Sequence, residues 1–232
     1  MRFDLDQLDP QVGYKLLTAT VTPRPIAWIT TVSANGTVNA APYSFFNVMG
    51  HTPPTVAIGL LRDPARGLKD TAANIVATDE FVVNLVPEAL AAQMNVTSMD
   101  APAGVSELEC AGLEATPSDL VGPPRIAASP VSFECRALHC LMTGPQQMIV
   151  IGQVVCIHIA DTHVLDAARG HVDTPALGLI GRMHGSGWYA RSSDLFRLPR
   201  PSYADWLQNP TNHENHKTEA RADIVDRPQT YK

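Results

Sequence analysis

The stretch from Arg24 to Ala41 constrains this chain more than any other, because it reads as a β-hairpin with its turn specified. Arg24 to Val32, RPIAWITTV, is rich in β-branched and aromatic residues, which suit a pleated, half-buried surface. Ser33-Ala34-Asn35-Gly36 follows, and its Asn-Gly pair is the signal of a tight turn. The return strand is expected through Thr37 to Ala41, ending before Pro42, since proline has no N–H to donate to a ladder. PYSFFN would then leave the sheet.

The rest of the chain continues in the same style. Thr55 to Leu61 and Glu80 to Val86 read as short apolar strands, and LKDTAANIVAT between them has helical spacing with Asp70 or Thr71 as N-cap. Pro87 to Pro130 is full of turn formers and reads as a long excursion over the sheet, with EALAAQMNV as a short helix. Pro130 to Leu141 and Met148 to Ile159 resume strand character around the loop Thr143 to Gln146, giving a second antiparallel pair. ALGLIGRMHGSGWYARSSDLFRLPRP then brings glycines that permit close backbone approach, and its end is expected to be a final strand. From Gln208 onward the chain is polar with almost no apolar periodicity. The expected division is a barrel domain over residues 1–207 and a tail or arm over 208–232.

Composition bounds the partners. With 232 residues, 45% hydrophobic and 17% charged, the chain can bury a substantial core as one domain. A net charge of −6 and no basic cluster give no reason to expect nucleic acid. The opening MRFDLDQLDPQVGYKLL lacks the basic start and apolar run of a secretory signal, and no stretch is long and apolar enough to span a membrane, so a cytoplasmic protein is expected. The four cysteines, Cys110, Cys135, Cys140 and Cys156, form no CxxC pair and read as reduced thiols. Cys135 and Cys140 on one strand would face opposite ways, so no metal site is expected from them.

Several residues could carry chemistry. APYSFFNVM combines a hydroxyl, adjacent aromatics and an amide, which suits a planar amphipathic ligand, although aromatic pairs on their own more often mean core packing. Arg62, Arg66 and Lys69 surround Asp70 and Thr71 at the expected helix start, where free N–H groups favour an anion; the plain alternative is an ordinary cap beside solvated cations. There is no P-loop and no GxGxxG, and no GxSxG frames Ser44 as a hydrolase nucleophile. His184 lies between glycines in GRMHGSGWY and could donate hydrogen bonds or protons to a ligand. Glu107 and Glu109, in the turn-rich excursion, are expected to face solvent.

Taken together, RPIAWITTVSANGTVNAAPYSFFNVMGHTPPTVAIGL, LKDTAANI with EFVVNLV, and LGLIGRMHGSGWYARSSDLFRLPRP resemble the flavin reductase-like, FMN-binding split-barrel family. The resemblance runs over about residues 10 to 201 and leaves the tail unexplained. It implies a mainly β fold: a six-stranded antiparallel Greek-key split barrel with a few peripheral helices, usually a homodimer, binding FMN near the subunit interface, with FAD as the alternative flavin. By the same resemblance, Trp28, Ile29, Thr30 and Thr31 together with Ser44, Phe45, Phe46 and Asn47 would border the isoalloxazine and ribityl chain. Arg66, Lys69 and Thr71 would face the phosphate, with Asp70 at the same helix start. His184, as candidate catalytic residue, and Trp188 would approach from the other side, towards the nicotinamide of NAD(P)H or another substrate. The implied activity is an NAD(P)H-dependent flavin reductase supplying a monooxygenase or another acceptor. The competing expectations are an FMN carrier or sensing module, and a flavoenzyme acting directly on a small substrate.

Overall fold

The computed structural model describes residues 1–63, 67–102 and 104–208. One compact unit covers Met1–Ser192, and a second covers Ser193–Lys232, in which the described residues hold one short helix, α5 (Tyr203–Gln208). The expected tail, 208–232, lies outside the described residues beyond Gln208. Among the described residues no helix is long and apolar enough to cross a membrane.

The first unit opens with α1 (Pro10–Thr20), whose Asp9 N-cap accepts from the Gln11 amide at 2.8 Å. Next come β1 (Arg24–Pro25), β2 (Ala27–Val32), β3 (Val38–Tyr43), β4 (Phe46–His51), β5 (Pro54–Asp63) and β6 (Gly67–Leu68). Helix α2 (Asp70–Thr78) leads into β7 (Glu80–Asn84). The excursion carries α3 (Ala91–Val96), α4 (Glu107–Cys110), β8 (Ala115–Thr116) and β9 (Arg125–Ile126). The long pair β10 (Val131–Gly144) and β11 (Gln147–Ile159) follows, then β12 (Val164–Asp166), β13 (His171–Val172), β14 (Ile180–Arg182) and β15 (Tyr189–Arg191).

Strand order explains why the sheet is a split barrel. The main sheet runs β3-β2-β7-β10-β11-β5-β4, with β6 added to β5, so eight strands take the place of the expected six. Its two edges, β3 and β4, are consecutive in the chain and joined only by Ser44 and Phe45. Two residues span at most about 7 Å, so the sheet must curl until its edges meet. The split therefore falls at Ser44–Phe45, where the chain crosses from Tyr43, paired with Ala27, to Phe46, paired with Ile58. The smaller sheet β1-β14-β15 sits beside it in chain continuity with β2.

Both faces of β2 are buried. Ala27 and Ile29 point into the barrel core with Val56, Ile58, Phe81, Val83 and Val150, joined by Ala72 and Ile75 of α2. Ile26 and Trp28 point the other way, into a second core with Met94, Leu108, Ile126 and Ile180 supplied largely by the excursion. This is why RPIAWITTV reads as a continuous apolar run rather than a half-polar alternation. The buried amide of Asn84 ties the same layers together, donating to the Trp28 carbonyl at 3.0 Å and accepting from the Ile126 amide at 2.9 Å.

Several sequence expectations are corrected. Strand β3 does not stop before Pro42 but runs to Tyr43, because β3 is an edge strand and Pro42 sits where a missing N–H breaks no ladder bond. Asp70 is the first residue of α2 rather than its cap; Lys69 occupies the N-cap without a side-chain bond. The last strand ends at Arg191, and the described chain from 192 to 201 contains no strand. Cys135 and Cys140 both pack on the barrel core, since the register shift between Ala137 and His139 inserts Leu138 into β10 and interrupts the alternation that would have separated them.

Glycine at 152 is required by packing. A Cβ there would lie 2.5 Å from Phe81 Cζ, inside the barrel core. Gly152→Ala is expected to cost about 1–3 kcal/mol through forced repacking, read as a lower urea midpoint at unchanged m-value.

Candidate functional site

The seam of the barrel opens into a cavity of about 490 Å³. One wall is the strand exit, Ala41 to Phe45; the second is Leu68 to Thr71 at the start of α2; the third is the excursion, Thr97 to Ala101 with Glu107. Tyr14 of α1 reaches its mouth, with its ring 6.1 Å from that of Phe45 at an angle of 52°. The cavity exists here because the chain leaves β3 and re-enters at β4, which leaves Ser44 and Phe45 without a continuous ladder partner. Phe45 is nonetheless fixed: its carbonyl accepts from the Gly59 amide at 2.7 Å, and its Cβ would sit 2.9 Å from any Cβ at Gly59.

The polar floor is a connected network. Thr71 Oγ1 donates to Asn39 Oδ1 at 2.7 Å, and Asn39 Nδ2 donates to Glu107 Oε2 at 2.9 Å. The same carboxylate oxygen accepts from the Ala40 amide at 3.2 Å. Glu107 is thus buried at 5% exposure on the wall of the cavity, which corrects the expectation that it faces solvent; Glu109 is exposed as expected. The helix start places Glu107 there because α4 packs on β3, and its charge is tolerated because it is hydrogen-bonded. Burial pushes the Tyr43 phenol up to about 12, with Thr71 opposing and the carboxylates of Glu107 and Asp70 adding to the rise. Tyr43 therefore presents a protonated hydroxyl at neutral pH.

At the helix-start end of the cavity, Lys69 Nζ lies 3.5 Å from Asp100 Oδ1, both side chains about half exposed. Such a pair is weak and leaves the ammonium able to turn to a stronger anion. The first-turn amides of the nine-residue α2 point away from any intrahelical partner and carry the positive end of its dipole. Arg62 Nη1 donates to the Pro145 carbonyl at 3.0 Å. Arg66 lies outside the described residues.

The structure brings together only part of the expected set. Ser44, Phe45, Lys69, Asp70 and Thr71 line the cavity. Trp28, Ile29, Thr30 and Thr31 do not: all are fully buried, and β2 pairs with β3 along its length and with β7 from Trp28 to Thr30. Trp28 Nε1 donates to Thr97 Oγ1 at 2.9 Å, Thr30 Oγ1 donates to the Pro124 carbonyl, and Thr31 Oγ1 accepts from Asn74 at 3.0 Å. Phe46 packs in the barrel core, and Asn47 is exposed on β4 with its own Oδ1 accepting from the Val48 amide at 2.8 Å. His184 and Trp188 are exposed and stacked on each other, centroids 6.3 Å apart at 9°, on a turn closed by the Met183 amide donating to the Trp188 carbonyl. Neither lines the cavity.

Arg24, which begins the hairpin motif, is a structural staple. Its guanidinium donates to Ser44 Oγ at 3.3 Å, to the Thr18 and Val21 carbonyls at 2.7 and 2.8 Å, and to the Met183 carbonyl at 3.0 Å. Burial lowers its pKa, though its ordinary value is so high that it stays charged. Residues that sequence reading missed are Tyr14, Asn39, Tyr43, Asp100 and Glu107. Of these, Asn39 and Tyr43 were signalled in principle by their place on the return strand opposite Thr31 and Ala27.

The lining of this cavity combines aromatic, hydrogen-bonding and cationic groups. Phe45 and Tyr43 offer apolar faces, Ser44, Asn39 and Glu107 offer polar edges, and Lys69 with the start of α2 offers positive charge to a phosphate.

A family described as "Flavin reductase like domain" matches residues 19–174. A protein of Deinococcus radiodurans is 45% identical over 211 residues, covering 89% of this chain and 92% of that one. Nitrilotriacetate monooxygenase component B from Bacillus cereus superposes with a TM-score of 0.81 at 30% identity, covering 85% of this chain and 98% of that one. The 2-nitrobenzoate 2-nitroreductase of Pseudomonas fluorescens superposes with a TM-score of 0.79 at 32% identity, covering 88% and 98%.

Proposed function

The chain belongs to the flavin reductase-like family, and on that premise we propose that it binds FMN in the seam cavity and acts as an NAD(P)H-dependent flavin reductase. The observation that carries this reading is the cavity itself: an aromatic and hydroxyl-bearing strand exit faces a helix start with a lysine, at the one place where the barrel is split.

Bound FMN would supply the hydride-accepting chemistry that no side chain provides. The protein's work is then binding and orientation. Lys69 and the first turn of α2 would hold the phosphate, while Thr71, locked by Asn39, keeps the helix start in register with β3. The protonated Tyr43 hydroxyl and Ser44 would donate to polar edges, and Phe45 would give a flat apolar contact. Glu107, already satisfied by Asn39 and the Ala40 amide, repels anions from the inner end and so favours entry of the phosphate at the Lys69 end. Stacking and alignment of a nicotinamide on flavin need no protein acid or base.

His184 and Trp188 belong to this proposal as residues that would cover a cavity from a neighbouring subunit of a homodimer. What supports it is that they are exposed in the single chain, as are Val48 and Met49 of β4 next to the seam. A monooxygenase that consumes reduced flavin is the partner class suggested by the Bacillus cereus component.

A second reading keeps FMN and changes the acceptor to a small organic substrate. It is favoured by the excursion, whose Ser98, Met99 and Asp100 wall the cavity, and by the resemblance to a nitroreductase. The experiment that separates them is NADH and NADPH oxidation by the purified protein, with and without added FMN or FAD and with and without a nitroaromatic acceptor, under air and anaerobically. Turnover that scales with free FMN supports the reductase. Turnover that needs a nitroaromatic acceptor and is indifferent to free flavin favours the second reading, and flavin binding without nicotinamide oxidation contradicts both in favour of a carrier.

A further inference from the structure

We propose that Asp119, Glu134, Cys156 and His158 form a binding site for one divalent transition-metal ion of the zinc class, which clamps the excursion to the barrel. The four residues offer one donor atom each, and these atoms all lie within 4.8 Å of one another. None of them lines the flavin-type cavity.

The fold builds this convergence in three steps. Glu134 on β10 and Cys156 on β11 are direct cross-strand partners, so their side chains share a face. His158 follows Cys156 by two residues and returns to that same face. Asp119 comes from the segment between β8 and β9, positioned because the amides of Asp119 and Leu120 donate to the two oxygens of Glu134 at 2.8 and 2.6 Å. The loop is thereby already registered on the strands.

The arrangement of donors is what points to a cation. His158 Nε2 lies 2.5 Å from Glu134 Oε1, 3.5 Å from Cys156 Sγ and 3.9 Å from Asp119 Oδ2. One ring nitrogen carries at most one proton, so it can satisfy only one of those three groups. Glu134 is fully buried, and the two amides on its oxygens hold it as a charged carboxylate beside the Cys156 thiol. Tetrahedral zinc with bonds of about 2.0–2.3 Å holds its ligand atoms about 3.3–3.7 Å apart. The present spacing reaches that by opening the His158–Glu134 contact and drawing in the exposed Asp119. Thiolate and imidazole donors select zinc-class ions over magnesium or calcium, and four protein ligands leave no open position, so the role is structural. Sequence spacing conceals the site because its ligands come from a loop and two strands with no short motif, which is why no metal was expected from sequence.

Cobalt(II) is the probe. The full chain, stripped with a chelator, is titrated with Co²⁺ and then challenged with Zn²⁺. The expected result is one Co²⁺ per chain with a thiolate-to-cobalt charge-transfer band, displaced by Zn²⁺, and a higher melting temperature with Zn²⁺ than without. Cys156→Ser is expected to abolish the band, and Asp119→Asn, at an exposed position that leaves the core intact, to weaken binding by roughly tenfold or more. Both variants should keep FMN affinity and lose the Zn²⁺-dependent rise in melting temperature. Absence of stoichiometric binding by the wild-type chain would overturn the proposal. So would a Co²⁺ signal that persists unchanged in both variants, as it would if His213 and His216 of the tail held the ion.

Discussion

Lys69→Ala is expected to weaken FMN binding by roughly 10- to 100-fold while leaving riboflavin affinity within about twofold, because a charge-assisted bond to a phosphate contributes about 1.5–3 kcal/mol. Lysine 69 is half exposed and, among the described residues, engaged by a 3.5 Å contact to Asp100, so the lower end of that range is the better expectation at physiological salt. The contrast between the two ligands isolates the phosphate, since they share the same ring and ribityl chain. The effect should shrink with added salt, as an exposed cation requires. Equal weakening of both ligands would mean that Lys69 shapes the cavity rather than binding the anion. Fluorescence quenching titrations of the two flavins measure both numbers.

Trp28→Ala is expected to have the largest effect on stability, about 3–5 kcal/mol. The side chain is fully buried between β2 and the excursion, packed with Met94, Leu108 and Ile126. Its indole N–H is also the bond that fixes Thr97 at the entrance to the cavity wall. The substitution therefore leaves a large void and frees Thr97 Oγ1 from its indole donor. A melting temperature lower by roughly 6–20 °C follows for a chain of this size. Trp28→Phe, which keeps most of the volume, should fold and keep FMN affinity if Trp28 is core rather than a flavin neighbour. A folded Trp28→Phe variant with FMN affinity reduced tenfold or more would restore Trp28 to the ligand contacts.

The sequence carried the architecture more clearly than the site. The hairpin from Arg24, the helix at Asp70 and the long pair around Pro145 were readable because strand propensity, Asn-Gly turn chemistry and helical spacing are local. Their arrangement into a closed sheet was not local, since it depends on Ser44 and Phe45 alone bridging the two edges. The same non-local fact decided the fate of Trp28 to Thr31. The strand motif lies beside the cavity, yet pairing of β2 with β3 and, from Trp28 to Thr30, with β7 leaves those residues buried.

Glu107 shows the opposite error. A glutamate among turn formers reads as solvated, and only the docking of α4 on β3 reveals that Asn39 and the Ala40 amide receive it. Cys135 and Cys140 show a third kind: strict alternation fails wherever a bulge inserts a residue, and nothing in VSFECRALHC announces the extra residue between Ala137 and His139. Lys69, Asp70 and Thr71 were legible as a group because they sit at adjacent positions at a helix start, and all three line the cavity.

The central claim is that flavin lies in the seam cavity with its phosphate at Lys69 and the start of α2. A crystal structure of the protein with FMN tests it most directly. The account predicts the ring system against Tyr43, Ser44 and Phe45 and the phosphate within hydrogen-bonding distance of Lys69 Nζ and first-turn amides of α2. Flavin bound elsewhere, such as on the exposed His184–Trp188 turn with the seam cavity left to solvent, would contradict it.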